Sequence, residues 1–97
     1  MMVLFREVAE ADLDEAIAYY EAIDPDLALR FQDELALAIQ RIDDQPEAHL
    51  AVHADVRRAR LNRFPHTVCY RVVDQNTVVI VACIHPSRDP TIWMGRR

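Results

Sequence analysis

The chain has 97 residues, of which 52% are hydrophobic and only one is glycine. A chain of this length builds one hydrophobic core, so we expect a single domain over residues 1–97, and the composition excludes a disordered or low-complexity protein. The longest apolar run, Val78 to Ile84, is too short to span a membrane, and the acidic start lacks the basic and apolar parts of a signal peptide. We therefore expect a cytoplasmic protein.

The net charge of −5 conceals an uneven distribution along the chain. Residues 1–50 hold 13 acidic residues against 3 arginines, a net charge of −10, whereas residues 51–97 hold 8 arginines against 3 acidic residues, a net charge of +5. There is no lysine, so all 11 basic residues are arginines, which make forked, bidentate contacts to carboxylates or phosphates. This asymmetry predicts that the second half presents a surface to an acidic partner.

The first predicted elements are a weak strand at residues 3–8, with the sequence VLFREV, and two helices at about residues 9–23 and 25–43. Asp24 and Pro25 between the helices are typical of an N-cap followed by proline at the first helical position, so the helices form a hairpin with a minimal connection. Tyr19 is expected to pack in the core. The other predicted core positions are Leu13, Ala16, Ile17, Tyr20, Ala28, Phe31, Leu35, Ala38, Ile39 and Ile42.

From Val56 the pattern changes to short runs rich in β-branched residues: VRRARLNRF at 56–64, TVCYRVV at 67–73 and TVVIVACI at 77–84. The last two runs predict a hairpin, and the third is apolar on both faces, which indicates an interior strand. The order β-α-α-β-β-β predicts an α+β domain. In it, an N-terminal strand and an antiparallel helical hairpin pack on a mainly antiparallel sheet of three to four strands.

The cysteines and histidines do not predict a metal or cofactor site. Cys69 and Cys83 are too few for a disulfide scaffold and lack a metal-site spacing, so we expect two buried, reduced thiols. Among the four histidines, only His49 and His53 stand at an i,i+4 spacing, and that pair falls in a predicted loop.

Several segments occur together in a recognisable order: Asp12-Leu13, the Arg57-Arg58 strand, Phe64-Pro65, Tyr70-Arg71 and the ending from His85 to Trp93. Because of these segments, the chain resembles the RelE/ParE toxin superfamily of bacterial type II toxin–antitoxin systems, and the resemblance extends from about Phe5 to Trp93. The similarity is closest to the ParE branch, which includes plasmid stabilisation proteins. The resemblance implies the β-α-α-β-β-β fold reached above from periodicity.

The resemblance also implies partners. One is a small antitoxin, of the ribbon-helix-helix type, whose acidic C-terminal segment wraps the toxin and silences it. For ParE-like members the implied target is DNA gyrase, and for RelE-like members it is mRNA in the ribosome. Neither membrane binding nor direct sequence-specific binding of nucleic acid is expected for a ParE-like protein.

Cleavage of RNA in the RelE manner needs a proton acceptor, a proton donor and cations that stabilise a charged phosphorane. The chain has no lysine, no tyrosine after Tyr70 and no glutamate after Glu47, so His85 and Asp89, with Arg88 between them, are the only weak catalytic candidates. A hydrogen-bonded structural role for His85, and an ion pair between Arg88 and Asp89 that holds the tail, account for these residues without catalysis.

Binding to a partner is the preferred interpretation of the basic second half, because its arginines between Asp55 and Asp74 are not interrupted by an acidic residue. Trp93 offers an apolar anchor of the kind found at interfaces. The predicted partner-binding residues are Arg57, Arg58, Arg60, Arg63, Arg71, Arg88 and Trp93.

Three functional hypotheses follow. The first is a ParE-like toxin that inhibits DNA gyrase by binding and is neutralised by a cognate antitoxin. The second is a RelE-like, ribosome-dependent mRNA endoribonuclease. The third is a non-toxic family member that acts only in an autoregulatory complex.

Overall fold

A computed structural model describes residues 2–49, 51–53 and 55–87, in which two helices pack on one face of a five-stranded sheet. The elements in chain order are β1 (Met2–Phe5), α1 (Glu7–Ile23), α2 (Pro25–Asp44), β2 (Ala51–His53), β3 (Val56–Arg60), β4 (Thr67–Asp74) and β5 (Thr77–Ile84). The predicted α+β fold is confirmed. One short strand, β2, is added where a loop was predicted, so His53 lies in a strand. Neither helix is long and apolar enough to cross a membrane.

Two strands are shorter than their sequence pattern indicated. The first ends at Phe5, because Glu7 already begins α1, where the helix dipole favours acidic residues in the first turn. The strand predicted over 56–64 ends at Arg60. Leu61 and Phe64 then lie in a loop whose apolar side chains still pack against the core, which explains why the pattern continued beyond the strand.

Asp24 forms the connection between the two helices. Its backbone N–H donates to the carbonyl of Tyr20 at 2.9 Å and so ends α1, while its side chain accepts from the N–H of Asp26 at 3.0 Å and caps α2. Pro25 occupies the first turn of α2, as predicted. The helical residues that are buried are Ala9, Leu13, Ala16, Tyr20, Ala28, Phe31, Ala38 and Ile42.

Tyr19 does not follow its prediction. Its side chain is 64% exposed, so the expectation that it packs in the core is wrong. Successive helical positions are about 100° apart, and Tyr20 takes the buried direction with Leu13 and Ala16. Tyr19 instead stands at the flank of α1, with its ring edge-on to that of Tyr20.

The sheet has the strand order β1-β5-β4-β3-β2. The parallel pair is β1 with β5, and the remaining neighbours are antiparallel. The segment Val78 to Ile84 therefore lies in an interior strand between β1 and β4, as its two apolar faces predicted.

β5 contains an irregularity opposite β4. Cys69 pairs with Ala82 whereas the next residue, Tyr70, pairs with Ile80, so Val81 is an extra residue in β5. Because of this bulge the side chains of Val81 and Ala82 pack in the same apolar cluster, although they are neighbours in the chain. The alternation of faces is thereby shifted for the remainder of the strand.

We call the sheet face turned away from the helices the outer face. The shift returns Cys83 to the helix side, where its N–H donates to Oδ2 of Asp12 in α1 at 3.1 Å. Cys69 remains on the outer face. Both cysteines are buried and neither forms a disulfide, as predicted. The apolar cluster of the outer face comprises Val56, Cys69, Val79, Val81 and Ala82.

Candidate functional site

Three of the predicted partner-binding arginines share the outer face. Arg58 pairs across the strands with Cys69, so it lies on the same face as that residue, and strand alternation places Arg60 and Arg71 there too. Arg58 and Arg60 are exposed. Arg71 is less exposed, and its Nε and Nη2 both donate to Oδ2 of Asp55 at 3.0 Å. The outer face therefore carries a row of guanidinium groups on two neighbouring strands.

Arg57 and Arg63 lie elsewhere. Arg57 is on the helix side of β3, where its Nη1 donates to the carbonyls of Glu47 at 3.1 Å and His49 at 2.8 Å. Arg63 is exposed in the loop between β3 and β4 with φ of 69°, a left-handed conformation that non-glycine residues seldom adopt. The structure thus divides the five arginines of residues 57–71 between different surfaces.

Arg57 helps to hold the segment after α2 against the sheet. The hydroxyl of buried Tyr70 donates to the carbonyl of Pro46, and its oxygen lies 3.1 Å from Nδ1 of His49. Burial raises the pKa of Tyr70 to about 12. Burial, with Arg41 and Arg57 nearby, lowers the pKa of His49. These groups are neutral near pH 7 and serve to anchor the connection between α2 and β2.

The remaining candidates, Arg88, Asp89 and Trp93, lie outside the described residues. Their assignments as an ion pair, as weak catalytic groups and as an apolar anchor stay predictions.

His85 borders a cleft of about 290 Å³ between α1, the loop before β4 and the end of β5. We call it the His85 cleft. Helix α1 contributes Asp12, Glu15 and Tyr19, which follow one another at i, i+3 and i+7 and so share one flank of the helix. His66 from the loop and Ser87 from the turn after β5 complete its polar wall.

The two histidines of the cleft are in contact but differ in environment. Their ring centroids are 5.3 Å apart, with the rings nearly perpendicular. His66 is 7% exposed, and its Nδ1 has no hydrogen-bond partner in the part of the chain that the structure describes. Burial, and to a lesser degree His85, lowers the pKa of His66 to about 4. The imidazole of His66 is therefore neutral at pH 7.

His85 is exposed and held by the turn that follows it. Its Nδ1 accepts the backbone N–H of Ser87 at 3.0 Å and lies 2.8 Å from Oγ of the same residue. Because Nδ1 accepts, the neutral ring carries its proton on Nε2. The hydrogen bonds agree with the structural role expected from the sequence, but His85 also forms part of the cleft wall.

The cleft and the outer face have opposite charge. The described wall of the cleft carries two carboxylates and no arginine, whereas the outer face carries Arg58, Arg60 and Arg71. A phosphate group is repelled by the first and attracted by the second. The described residues hold no group of three or more histidine, cysteine, aspartate or glutamate side chains placed to bind a metal ion.

Sequence reasoning missed Asp12, Glu15 and His66 as neighbours of His85. The spacing of the first two with Tyr19 was visible in the sequence as one stripe of a helix, but nothing local pointed to its partner. Asp12 and the strand residue Cys83 are 71 positions apart. Only the docking of α1 on the end of β5 assembles this cleft.

Comparison with known proteins identifies the family. A family model described as the ParE toxin of the type II toxin–antitoxin system parDE matches residues 3–90. A solved structure described as a chromosomal ParDE TA system from P. aeruginosa matches with a TM-score of 0.72, 21% sequence identity and coverage of 88% of this chain and 95% of that chain. At this identity the structural match shows the fold. No curated protein sequence matches.

The family model spans most of the chain, and the similarity to the ParE branch noted in the sequence is confirmed. The protein therefore belongs to the family of ParE toxins of type II toxin–antitoxin systems.

Proposed function

We propose that this protein acts by binding, that its target is DNA gyrase, and that a cognate antitoxin with an acidic C-terminal segment neutralises it. Membership of the ParE toxin family supports the role of toxin. The choice of gyrase rests on the resemblance to ParE-like members, and it implies that the protein works in the cytoplasm.

The observation that carries binding over catalysis is the separation of His85 from Arg58 and Arg60, the exposed arginines that the structure describes on the outer face. Cleavage of RNA requires a base at the 2′-hydroxyl and cations at the adjacent phosphate, within one site. Here His85 lies in a cleft beside Asp12 and Glu15, while Arg58 and Arg60 lie on the outer face of the sheet. A phosphodiester placed at His85 would meet two carboxylates, which oppose a developing phosphorane charge.

The charge of the outer face supports an acidic antitoxin segment as the neutralising partner. Arg58 and Arg60 are exposed, and in the described part of the chain no ion pair or hydrogen bond engages their guanidinium groups. Arg71 stands two residues beyond Cys69 on the neighbouring strand. An acidic segment that crosses these strands meets cations along its length, whereas the helical hairpin repels it, since residues 1–50 carry a net charge of −10.

Expression of the chain without an antitoxin tests the target. We expect filamentation and DNA damage signalling in the cells, intact ribosome-bound mRNA, and inhibition of supercoiling when the purified chain is added to purified gyrase. Mapping of transcript ends in the same cells provides the matched measurement for the ribonuclease hypothesis.

The possible outcomes separate the three hypotheses. Transcript cleavage that disappears in the His85→Ala variant would show a RelE-like ribonuclease and contradict the proposal. A folded, well-expressed chain that leaves growth, transcripts and gyrase unaffected would show the non-toxic family member.

Replacing both exposed arginines of the outer face, in the variant Arg58→Ala/Arg60→Ala, is expected to weaken antitoxin binding about tenfold at low salt. Exposed charges act mainly on the association rate, so the variant should also show a weaker dependence of affinity on salt. The measurement is binding kinetics against the antitoxin encoded beside the toxin, at several salt concentrations.

Arg30→Ala supplies the matched control, because Arg30 is an exposed arginine of α2 and lies in the acidic half of the chain. We expect it to change antitoxin affinity by less than about twofold. Equal effects of the control and the double variant, or binding that does not respond to salt, would mean that the arginines of the outer face are only solvated.

A further inference from the structure

The outer face of the sheet is more deeply buried than its position explains. Cys69, Val81 and Ala82 in its centre are 0% exposed, although both helices pack on the opposite face. In a sheet with one open face, side chains on that face are normally in contact with water. We propose that residues 88–97 of this chain, with Trp93 as their anchor, cover the outer face where β4 and β5 lie side by side.

The described part of the chain supplies no cover for this centre. The buried residues of the outer-face cluster all belong to β3, β4 and β5, whereas the buried helical residues belong to the core on the other face. Cys69 and Val81 also take part in interactions beyond the described contacts. These observations point to a further segment that lies against the two residues.

The connections of the chain leave one segment within reach of β5. Leu50 and Ala54 flank β2, which is three strand positions from β5, so they join the sheet roughly 14 Å away from that strand. Met1 precedes β1, which runs parallel to β5, and so joins the sheet at the opposite end of β5 from Ala82. Residues 88–97, in contrast, follow the turn at the end of β5 itself.

The position of β5 determines where a chain leaving its end passes. Its two sides are occupied by β1 and β4, so the chain does not pair beside it and passes over a face of the sheet. On the helix side, Asp12 of α1 already binds the backbone N–H of Cys83 at this end. Ten extended residues span about 33 Å, which exceeds the roughly 27 Å of β5, so residues 88–97 are long enough to return along the whole strand.

The composition of the segment fits an apolar surface. Its sequence, RDPTIWMGRR, contains the three consecutive large apolar residues Ile92, Trp93 and Met94. Three arginines against one aspartate give it a net charge of +2, so the arginines of the outer face do not attract it, and burial of apolar area holds it there. Trp93 is then an internal anchor, and an acidic partner contacts the exposed arginines of β3 beside the covered centre.

Fluorescence of the purified full chain tests whether Trp93 is covered. Trp93 is the only tryptophan, so the emission reports its surroundings alone. We expect acrylamide to quench it at least about threefold less efficiently in the folded chain than in the chain unfolded in urea. Equal quenching in the two states would overturn the inference, and this measurement needs no variant.

The two cysteines then locate the segment, because Cys69 is buried on the outer face and Cys83 on the helix side. In the variant Trp93→Ala we expect iodoacetamide to label Cys69 at least about tenfold faster than in the wild type, with the rate at Cys83 unchanged. Mass spectrometry of the two cysteine peptides measures both rates. Tyr19→Ala is the matched control: it removes an aromatic ring that is 64% exposed on α1 and should leave both rates unchanged.

Two labelling results would overturn the inference. The first is an unchanged rate at Cys69 in the folded Trp93→Ala variant. The second is a wild-type rate at Cys69 that falls as the protein concentration rises, which would assign the cover to a second copy of the chain. If Trp93→Ala does not fold, the milder variant Ile92→Ala is read in the same way. The experiments contain neither antitoxin nor gyrase, so their outcome is independent of the proposed function.

Discussion

Replacing Phe31 by alanine is expected to lower the free energy of unfolding by about 3–5 kcal/mol, the range for buried aromatic residues. Phe31 is fully buried in α2. Its ring centroid lies 5.2 Å from that of Tyr20, 5.3 Å from that of Phe64 and 5.1 Å from that of His66. The substitution leaves a cavity where both helices and the loop before β4 meet, and none of these elements collapses into it without losing other contacts.

Urea denaturation of the wild type and the variant measures this difference. Leu29→Ala is the matched control, because Leu29 lies in the same helix, one half-turn away, with 59% of its side chain exposed. We expect the control to change stability by less than about 0.5 kcal/mol. A Phe31→Ala variant that loses no more than the control would contradict a core built around this group of rings.

Acidification from pH 7 to pH 4 is expected to remove about 3 kcal/mol of stability through His66 alone. In the unfolded chain this imidazole titrates near 6.5, whereas burial lowers its pKa to about 4 in the folded protein. Below pH 6.5 the unfolded state therefore binds a proton that the folded state does not accept. The contribution is complete above pH 6.5 and is lost as the pH falls towards 4.

The variant His66→Leu isolates this effect, since it replaces the titrating group by an apolar side chain of similar size against Tyr20 and Phe31. Its unfolding free energy should differ from that of the wild type by an amount that changes by about 3 kcal/mol between pH 7 and pH 4. Carboxylates titrate in both proteins, so their contribution cancels in the difference. Parallel pH profiles would contradict the prediction, because they would mean that the pKa of His66 is the same in the folded and the unfolded protein.

Phe31 and His66 also connect the hydrophobic core to the His85 cleft. His66 packs on Phe31 on one side and on His85 on the other, so it forms both the edge of the ring cluster and the wall of the His85 cleft. A neutral His66 keeps the cleft acidic. The outer face has the opposite charge because it carries arginines. A small toxin of this kind thus has two chemically distinct surfaces on opposite sides of one sheet.

Local patterns in the sequence determined the order and type of the elements. Helical spacing of apolar residues and the Asp24-Pro25 pair were enough to place the helical hairpin, because capping and amphipathicity depend on residues a few positions apart. The apolar character of both faces of Val78 to Ile84 was enough to place it in the interior of the sheet. The joint pattern of segments was also enough to indicate the family.

The tertiary structure alone decided which side chains share a surface. A bulge at Val81 arises from pairing with β4 and reverses which residues of β5 face the helices, so counting along the strand assigns Cys83 to the wrong side. The pairing of β3 with β4 puts Arg58 and Arg60 on the outer face and leaves Arg57 to anchor the segment after α2. The His85 cleft forms where α1 packs against the end of β5, and the contacting residues Asp12 and Cys83 are 71 positions apart in the chain. Contacts so distant in sequence depend on tertiary packing, which local periodicity does not predict.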